Sequence, residues 1–180
     1  MKNFWILAIG SLLMTGCIEN TAKETVKEDN KEVVSTSNEI KNPPRVESPA
    51  DVNLREGQEF LANNAKNDAV VVLASGVQLL ELIPGSGKVP TMENNVTVHY
   101  HGTLIDGTVF DSSVERSEPF THNMSDPLIK GWVEGLLHMK SGSKYRVFMP
   151  ASSGYGNGGQ GPIGPNSSLI FEIELLSINN

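Results

Sequence analysis

Two stretches of this chain alternate apolar and polar residues, the pattern of a long strand with one buried face. In residues 96–104, Val96, Val98 and Tyr100 share one side, while Thr97, His99 and His101 share the other. In residues 169–178, Phe171, Ile173 and Leu175 alternate with Glu172 and Glu174. Shorter strand signals accompany them. Residues 70–73 are an apolar run, and residues 76–83 end in the turn cluster Pro84-Gly85-Ser86-Gly87. Asp106-Gly107 is a hairpin turn signal leading into Val109-Phe110-Asp111, and residues 144–149 form a further strand. One helix interrupts the series. Leu128, Ile129, Trp132, Val133, Leu136 and Leu137 make a wide apolar stripe, with Asp126 placed to cap it, Pro127 suited to its first turn and Ser141-Gly142 placed to end it. Gly131 and Gly135 weaken such a helix by up to about 1 kcal/mol each relative to Ala, so it needs a sheet to lie on. The expected class is α+β, an antiparallel sheet with one helix on its face.

The first 69 residues read differently. A short basic start, an apolar stretch from Phe4 to Met14 and a small-residue site before Cys17 describe a secretory signal over residues 1–16. The apolar stretch is too short to span a bilayer. Leu13-Met14-Thr15-Gly16-Cys17 resembles the bacterial lipobox, which makes Cys17, the only cysteine, the expected lipidation site. Ile18 after it resembles an outer-membrane sorting signal, and the expected location is the bacterial cell envelope, facing periplasm or surface. Residues 17–50 contain no aromatic residue and cannot bury enough apolar area to offset ordering entropy, so they read as a disordered tether. Residues 51–69 read as a helix, with Leu54, Phe60, Leu61 and Ala65 on its apolar side, Asp51 as its N-cap and Asn67-Asp68 closing it.

Several chemistries find no support in the residues. The net charge of −7 gives no general attraction for phosphate backbones, so nucleic acid is not an expected partner. With one cysteine there is no intrachain disulfide and no all-cysteine metal site. There is no Gly-rich phosphate loop and no nucleophile elbow. His99 and His101 share a strand face, with His122 and His138 remote, and a solvated outer face is the better reading than a metal pair. No cofactor or metal is expected.

Three blocks in order carry a family resemblance: residues 98–113 with Pro119-Phe120, residues 129–136, and Tyr155-Gly156 with residues 161–176. Together they resemble the FKBP-type peptidyl-prolyl cis–trans isomerases over roughly residues 70–180. Residues 56–66 look like the helix end of the macrophage infectivity potentiator-like branch, in which a longer helical region dimerises the protein. A monomer or weak dimer is expected here. The resemblance implies a half-barrel of five or six antiparallel strands wrapped around the short helix, with a pocket between them. It implies catalytic roles for Asp111, Tyr155, Phe110 and Trp132, with Trp132 as the floor beneath a proline ring. It implies a substrate-binding lining of Tyr100, Phe120, Leu128, Ile129, Ile163 and Phe171. His122, where many members carry a second aromatic, implies a more polar rim. The expected partners are proline-containing unfolded or folding polypeptides, the membrane through lipidated Cys17, and macrolide inhibitors. The alternative for the same pocket is a non-catalytic chaperone or partner-binding lipoprotein.

Overall fold

The computed structural model describes residues 46–179. The signal segment, Cys17 and most of the stretch read as a tether lie outside them. The described elements are α1 (Pro49–Asn64), β1 (Val70–Val72), β2 (Gln78–Ile83), β3 (Asn95–Leu104), β4 (Val109–Ser112), β5 (Phe120–Asn123), α2 (Lys130–Leu136), β6 (Lys144–Met149) and β7 (Leu169–Asn179). The seven strands form one antiparallel sheet, six of them in the order β1-β2-β6-β7-β3-β4 with β5 beside β3 off that path. β3 shares its second edge between two partners: β5 pairs with Asn95–Val98, and β4 pairs with His101–Thr103. The sheet has one strand more than the six sequence signals. The addition is β5, whose Phe-Thr-His-Asn composition carries no apolar alternation and which is held by its register on β3.

The long strands behave as their alternation predicts. Val96, Val98 and Tyr100 are buried on β3, and Phe171, Ile173 and Leu175 on β7. Glu172, on the opposite face of β7, meets its cross-strand partner Arg146 at 2.5 Å and Lys144 at 3.1 Å. Burying one face of a strand specifies register, because a one-residue slip would expose the whole apolar set.

Both helices depart from their sequence readings at the ends. α1 starts two residues before Asp51. Its N-cap is Ser48, whose side chain accepts from the Asp51 amide, while the Asp51 carboxylate reaches back to the Ser48 amide. Asp51 is therefore the third residue of a capping box, with Pro49 at the first helical position. α2 starts at Lys130, later than the Asp126-Pro127 signal. Its N-cap is Ile129, with no side-chain cap, and Asp126 instead closes a turn by donating its amide to Asn123 O at 2.9 Å.

The two glycines of α2 that weaken it in isolation are its contact with the sheet. A Cβ built on Gly131 would lie 2.6 Å from Met149 Sδ, and one on Gly135 would lie 3.2 Å from Val147 Cγ2. Spaced i, i+4, they form one bare stripe along which the helix backbone approaches β6. This close seating turns Trp132 and Leu136 into the core.

Candidate active site

A cavity of about 440 Å3 opens between α2, the inner face of the sheet and the loop between β6 and β7. All the residues named from sequence as catalytic or substrate-binding line it: Tyr100, Phe110, Asp111, Phe120, Leu128, Ile129, Trp132, Tyr155, Ile163 and Phe171. Gln160, Gly161 and Pro162 complete the lining. Sequence reasoning missed these three, since the resemblance pointed only to Tyr155 and Ile163 in this loop and its glycines give no periodicity from which a facing can be read.

The aromatic residues make an edge-to-face box. Trp132 is 4% exposed and stands at the centre. Its ring lies 5.1 Å from Tyr100 at 76°, 5.3 Å from Phe171 at 88° and 6.1 Å from Phe120 at 81°. Phe110 meets Phe171 at 5.3 Å and 83°. Such T-shaped pairs place positive ring edges against negative faces, and each adds about 0.5–1.5 kcal/mol beyond its area burial. The Trp132 indole N–H is buried with no protein acceptor. His122 stacks on Phe120 at 5.6 Å and 22° but is not part of the cavity lining.

Phe110 and Asp111 are consecutive, and consecutive strand residues ordinarily face opposite ways. Here both reach the cavity because the β3–β4 pairing carries a bulge: Gly102 pairs with Asp111, while Thr103 pairs with Val109. The extra residue is Phe110, and the bulge re-aims it. Gly102 makes the room. A Cβ there would lie 2.7 Å from Phe110 and 2.8 Å from Phe171.

Asp111 sits in a polar triad at the rim. It accepts from the Tyr100 hydroxyl at 2.5 Å and pairs with Arg116, which also donates to the Tyr100 hydroxyl at 2.9 Å. The Arg116 guanidinium lies 5.7 Å from the Tyr100 ring centroid. Burial pushes the Asp111 carboxyl up, but the Tyr100 and Arg116 hydrogen bonds and the Arg116 charge outweigh it and hold it below the usual carboxylate range. Burial, helped by Asp111, pushes the Tyr155 hydroxyl up, and burial with the Asp111 hydrogen bond does the same to Tyr100. Both phenols therefore stay protonated donors at neutral pH. Arg116 was not legible from sequence. It reaches back across a tight turn in which Ser117 takes a positive φ of 56°, and that turn leaves no strong local signature. Among the described residues no group of three or more His, Cys, Asp and Glu side chains is placed to hold a metal ion.

The arrangement is an apolar slot with the polar groups of Asp111 and Tyr155 at its mouth. The chain and its fold are similar to those of known proteins. The family model for FKBP-type peptidyl-prolyl cis-trans isomerase matches residues 87–176. The model for the domain amino terminal to FKBP-type peptidyl-prolyl isomerase matches residues 11–79. The isomerase FkpA of Aeromonas hydrophila is 45% identical over 126 residues, covering 70% of this chain and 47% of that protein. The outer membrane protein MIP of Legionella longbeachae is 45% identical over 130 residues, covering 72% of this chain and 55% of that one. The chain thus spans about half the length of the curated relatives it matches. Among solved structures, a peptidyl-prolyl cis-trans isomerase of Pseudomonas syringae superposes with a TM-score of 0.68 at 34% identity, covering 75% of this chain and 99% of that one. FkpA of Escherichia coli superposes at 0.69 and 38% identity, covering 72% and 61%. The chain belongs to the FKBP-type peptidyl-prolyl cis–trans isomerase family.

Proposed function

We propose that this chain accelerates the cis–trans isomerisation of X–Pro bonds in proline-containing polypeptides and so assists the folding of exported proteins. The observation that supports this most is the seating of Trp132, Phe110, Asp111 and Tyr155 around one cavity. Rotation about a peptide C–N bond costs about 18–20 kcal/mol because resonance is lost in the twisted state. For X–Pro the end states differ by only about 0.5–1 kcal/mol, so the reaction is balanced and merely slow. No covalent step is needed. The twisted imide is less zwitterionic than the planar one, so a dry apolar slot disfavours the planar ground state. Fixed donors then hold the twisted carbonyl without reorganising. Lowering the barrier by about 5 kcal/mol gives an acceleration of roughly 10³–10⁴.

The proline ring rests on Trp132 between Phe110, Phe120 and Phe171, with Tyr100 and Ile163 closing the sides. Tyr155 donates from the rim to a substrate carbonyl. The Ile129 amide is a second donor, since its N-cap position leaves it outside the helical ladder. Asp111 stands beside the carbonyl of the rotating bond. The chemistry needs no cofactor, and macrolides such as tacrolimus or rapamycin compete for the slot.

The same reading places the protein in the bacterial envelope. Leu13-Met14-Thr15-Gly16-Cys17 supports acylation of Cys17, and two or more acyl chains anchor stably where one does not. The Legionella longbeachae relative is named an outer membrane protein, in keeping with that location. The full chain, mixed with a short X–Pro peptide, is expected to speed cis–trans exchange and to lose that effect with a macrolide. Exchange no faster than in buffer overturns the catalytic reading and favours a pocket that only holds apolar segments. Incorporation of an alkyne-tagged fatty acid, lost in Cys17→Ser, tests the anchor.

A further inference from the structure

One wall of the cavity is a glycine-rich loop that supplies Tyr155, Gln160, Gly161, Pro162 and Ile163. Gly156, Gly159 and Gly161 take positive φ values of 63°, 67° and 54°, so an untethered loop of this sequence would sample many shapes. One backbone hydrogen bond, from the Gly156 amide to Ala151 O at 2.8 Å, ties its start to the turn after β6, and the others run within it. The Asn166 amide donates to Gly156 O at 2.9 Å, and Gln160 and Ile163 exchange both amide bonds at 2.9 Å. These bonds fix the loop's start and its internal shape but not the place of residues 157–165 over the slot. Ile163, buried in the core, is one anchor.

The other anchor comes from outside the sheet. Asn53 of α1 donates from Nδ2 to Pro165 O at 2.9 Å and reaches Ser167 Oγ at 3.4 Å. Asn166 donates from Nδ2 to Ala50 O at 3.3 Å. Gly57 lies flush on the strand entry, where a Cβ would sit 2.3 Å from Ser168 Oγ. Ala50, Asn53 and Gly57 fall at i, i+3 and i+7, one stripe of the helix. Its other end is bolted to the sheet. Gln78 Nε2 donates to Leu61 O at 2.8 Å, Asn64 Nδ2 donates to Gln78 Oε1 at 2.7 Å, and Phe60 meets Phe148 at 5.9 Å.

We infer that α1 is a brace for the pocket wall, and that Asn53 and Asn166 are positioning residues that set where Tyr155 and Ile163 stand against a bound prolyl segment. The inference rests on the isomerase reading for its functional consequence. Without the brace the loop samples more positions, and a ligand must order it on binding. The bound segment itself orders the loop, so Tyr155 stands in place in the complex, the floor and Asp111 are untouched, and the loss falls on KM rather than kcat.

The test uses the full chain carrying Asn53→Asp, which keeps the shape but turns the donor into an acceptor facing the Pro165 carbonyl. KM for an X–Pro peptide is expected to rise about 3- to 10-fold with kcat changed less than about twofold. Amides of residues 157–165 are expected to exchange with deuterium about tenfold faster, with the urea midpoint of global unfolding nearly unchanged. Gly57→Ala, which drives the helix off Ser168, gives the same pattern by a separate route and serves where Asn53→Asp fails to fold. Arg55→Ala, on the side of α1 facing Glu47, Glu56 and Glu59, leaves both readouts at the wild-type values. Wild-type KM or wild-type loop exchange in both variants overturns the brace. A wild-type chain that accelerates nothing overturns instead the isomerase reading, and loop exchange in the two variants then judges the brace alone.

Discussion

The Tyr100 hydroxyl donates a 2.5 Å hydrogen bond to Asp111 Oδ2, joining two residues that stand diagonally across the β3–β4 pairing on one face. Tyr100 is buried by the aromatic box and Asp111 lies at the rim. The bond therefore ties the polar mouth of the slot to its apolar interior. Arg116 closes the triangle by contacting both. An ionised Asp111 is what the other two groups favour, and its position is set as much by them as by its own strand.

That triad predicts a pH profile. A carboxyl held below its ordinary value contributes stability and geometry above the unfolded value, and loses both as pH falls through the folded one. kcat/KM should therefore be flat between about pH 5 and 8 and decline only below about pH 4. Arg116→Ala removes one of the two partners that offset burial, leaving the Tyr100 hydrogen bond. The carboxyl then rises, the acid limb moves to higher pH, and kcat/KM at pH 7 drops about 3- to 10-fold. Profiles of the two proteins from pH 3.5 to 8 check this, and coincident acid limbs would contradict it.

Gly102 predicts a steric effect at a distance from any polar group. Gly102→Ala puts a Cβ into Phe110 and the buried Phe171, so the half-buried Phe110 is the ring that must be pushed aside. Overpacking of this kind costs about 1–3 kcal/mol, and displacing Phe110 should lower kcat/KM about tenfold. Gly158→Ala is the matched control, since nothing lies within 4 Å of its Cβ position. Urea denaturation and the peptide assay read both variants. Equal behaviour of the two would show that the bulge does not need its glycine.

Tyr155→Phe separates rim from core. Tyr155 is 37% exposed, so losing its hydroxyl should leave the unfolding midpoint in place. One donor lost from the transition state costs about 1–3 kcal/mol, or roughly 5- to 150-fold in kcat/KM. A variant with wild-type kcat/KM would remove Tyr155 from the mechanism.

The pocket roles of the site residues come from the family resemblance, and what periodicity makes legible by itself is only that some of them are buried. Tyr100 and Phe171 belong to alternating strands, and Trp132 lies on the apolar stripe of α2. What is not legible depends on pairing. The bulge that aims Phe110 exists only when β4 meets β3. β5 has no strand signature apart from its partner. The start of α1 is a different case. Ser48-Pro49-Ala50-Asp51 carries both halves of a capping box and a proline at the first helical position, so the signal was present, and Asp51 was the wrong half to read as the cap. At α2 the Asp126-Pro127 pair mimics a helix start but serves the turn after β5.

The floor of the slot gives the sharpest separation of folding from function. Trp132 is buried against Tyr100, Phe120 and Phe171, so Trp132→Ala leaves a large hole and should cost about 3–5 kcal/mol. Trp132→Phe keeps an aromatic edge in the box. Because the indole N–H has no protein acceptor, the replacement breaks no hydrogen bond within the protein, and its cost is only that of the volume lost, about 1–2 kcal/mol. The smaller ring nevertheless lowers the floor under the proline, so KM should rise about 5- to 20-fold while the fold holds. The chain has two tryptophans, Trp5 and Trp132, so a Trp5→Phe background makes the emission report on the floor alone. In that background an X–Pro peptide should change the emission with the same concentration dependence as its KM. Emission that ignores the peptide, or a Trp132→Phe variant with wild-type KM, would mean that the proline ring does not rest on this indole.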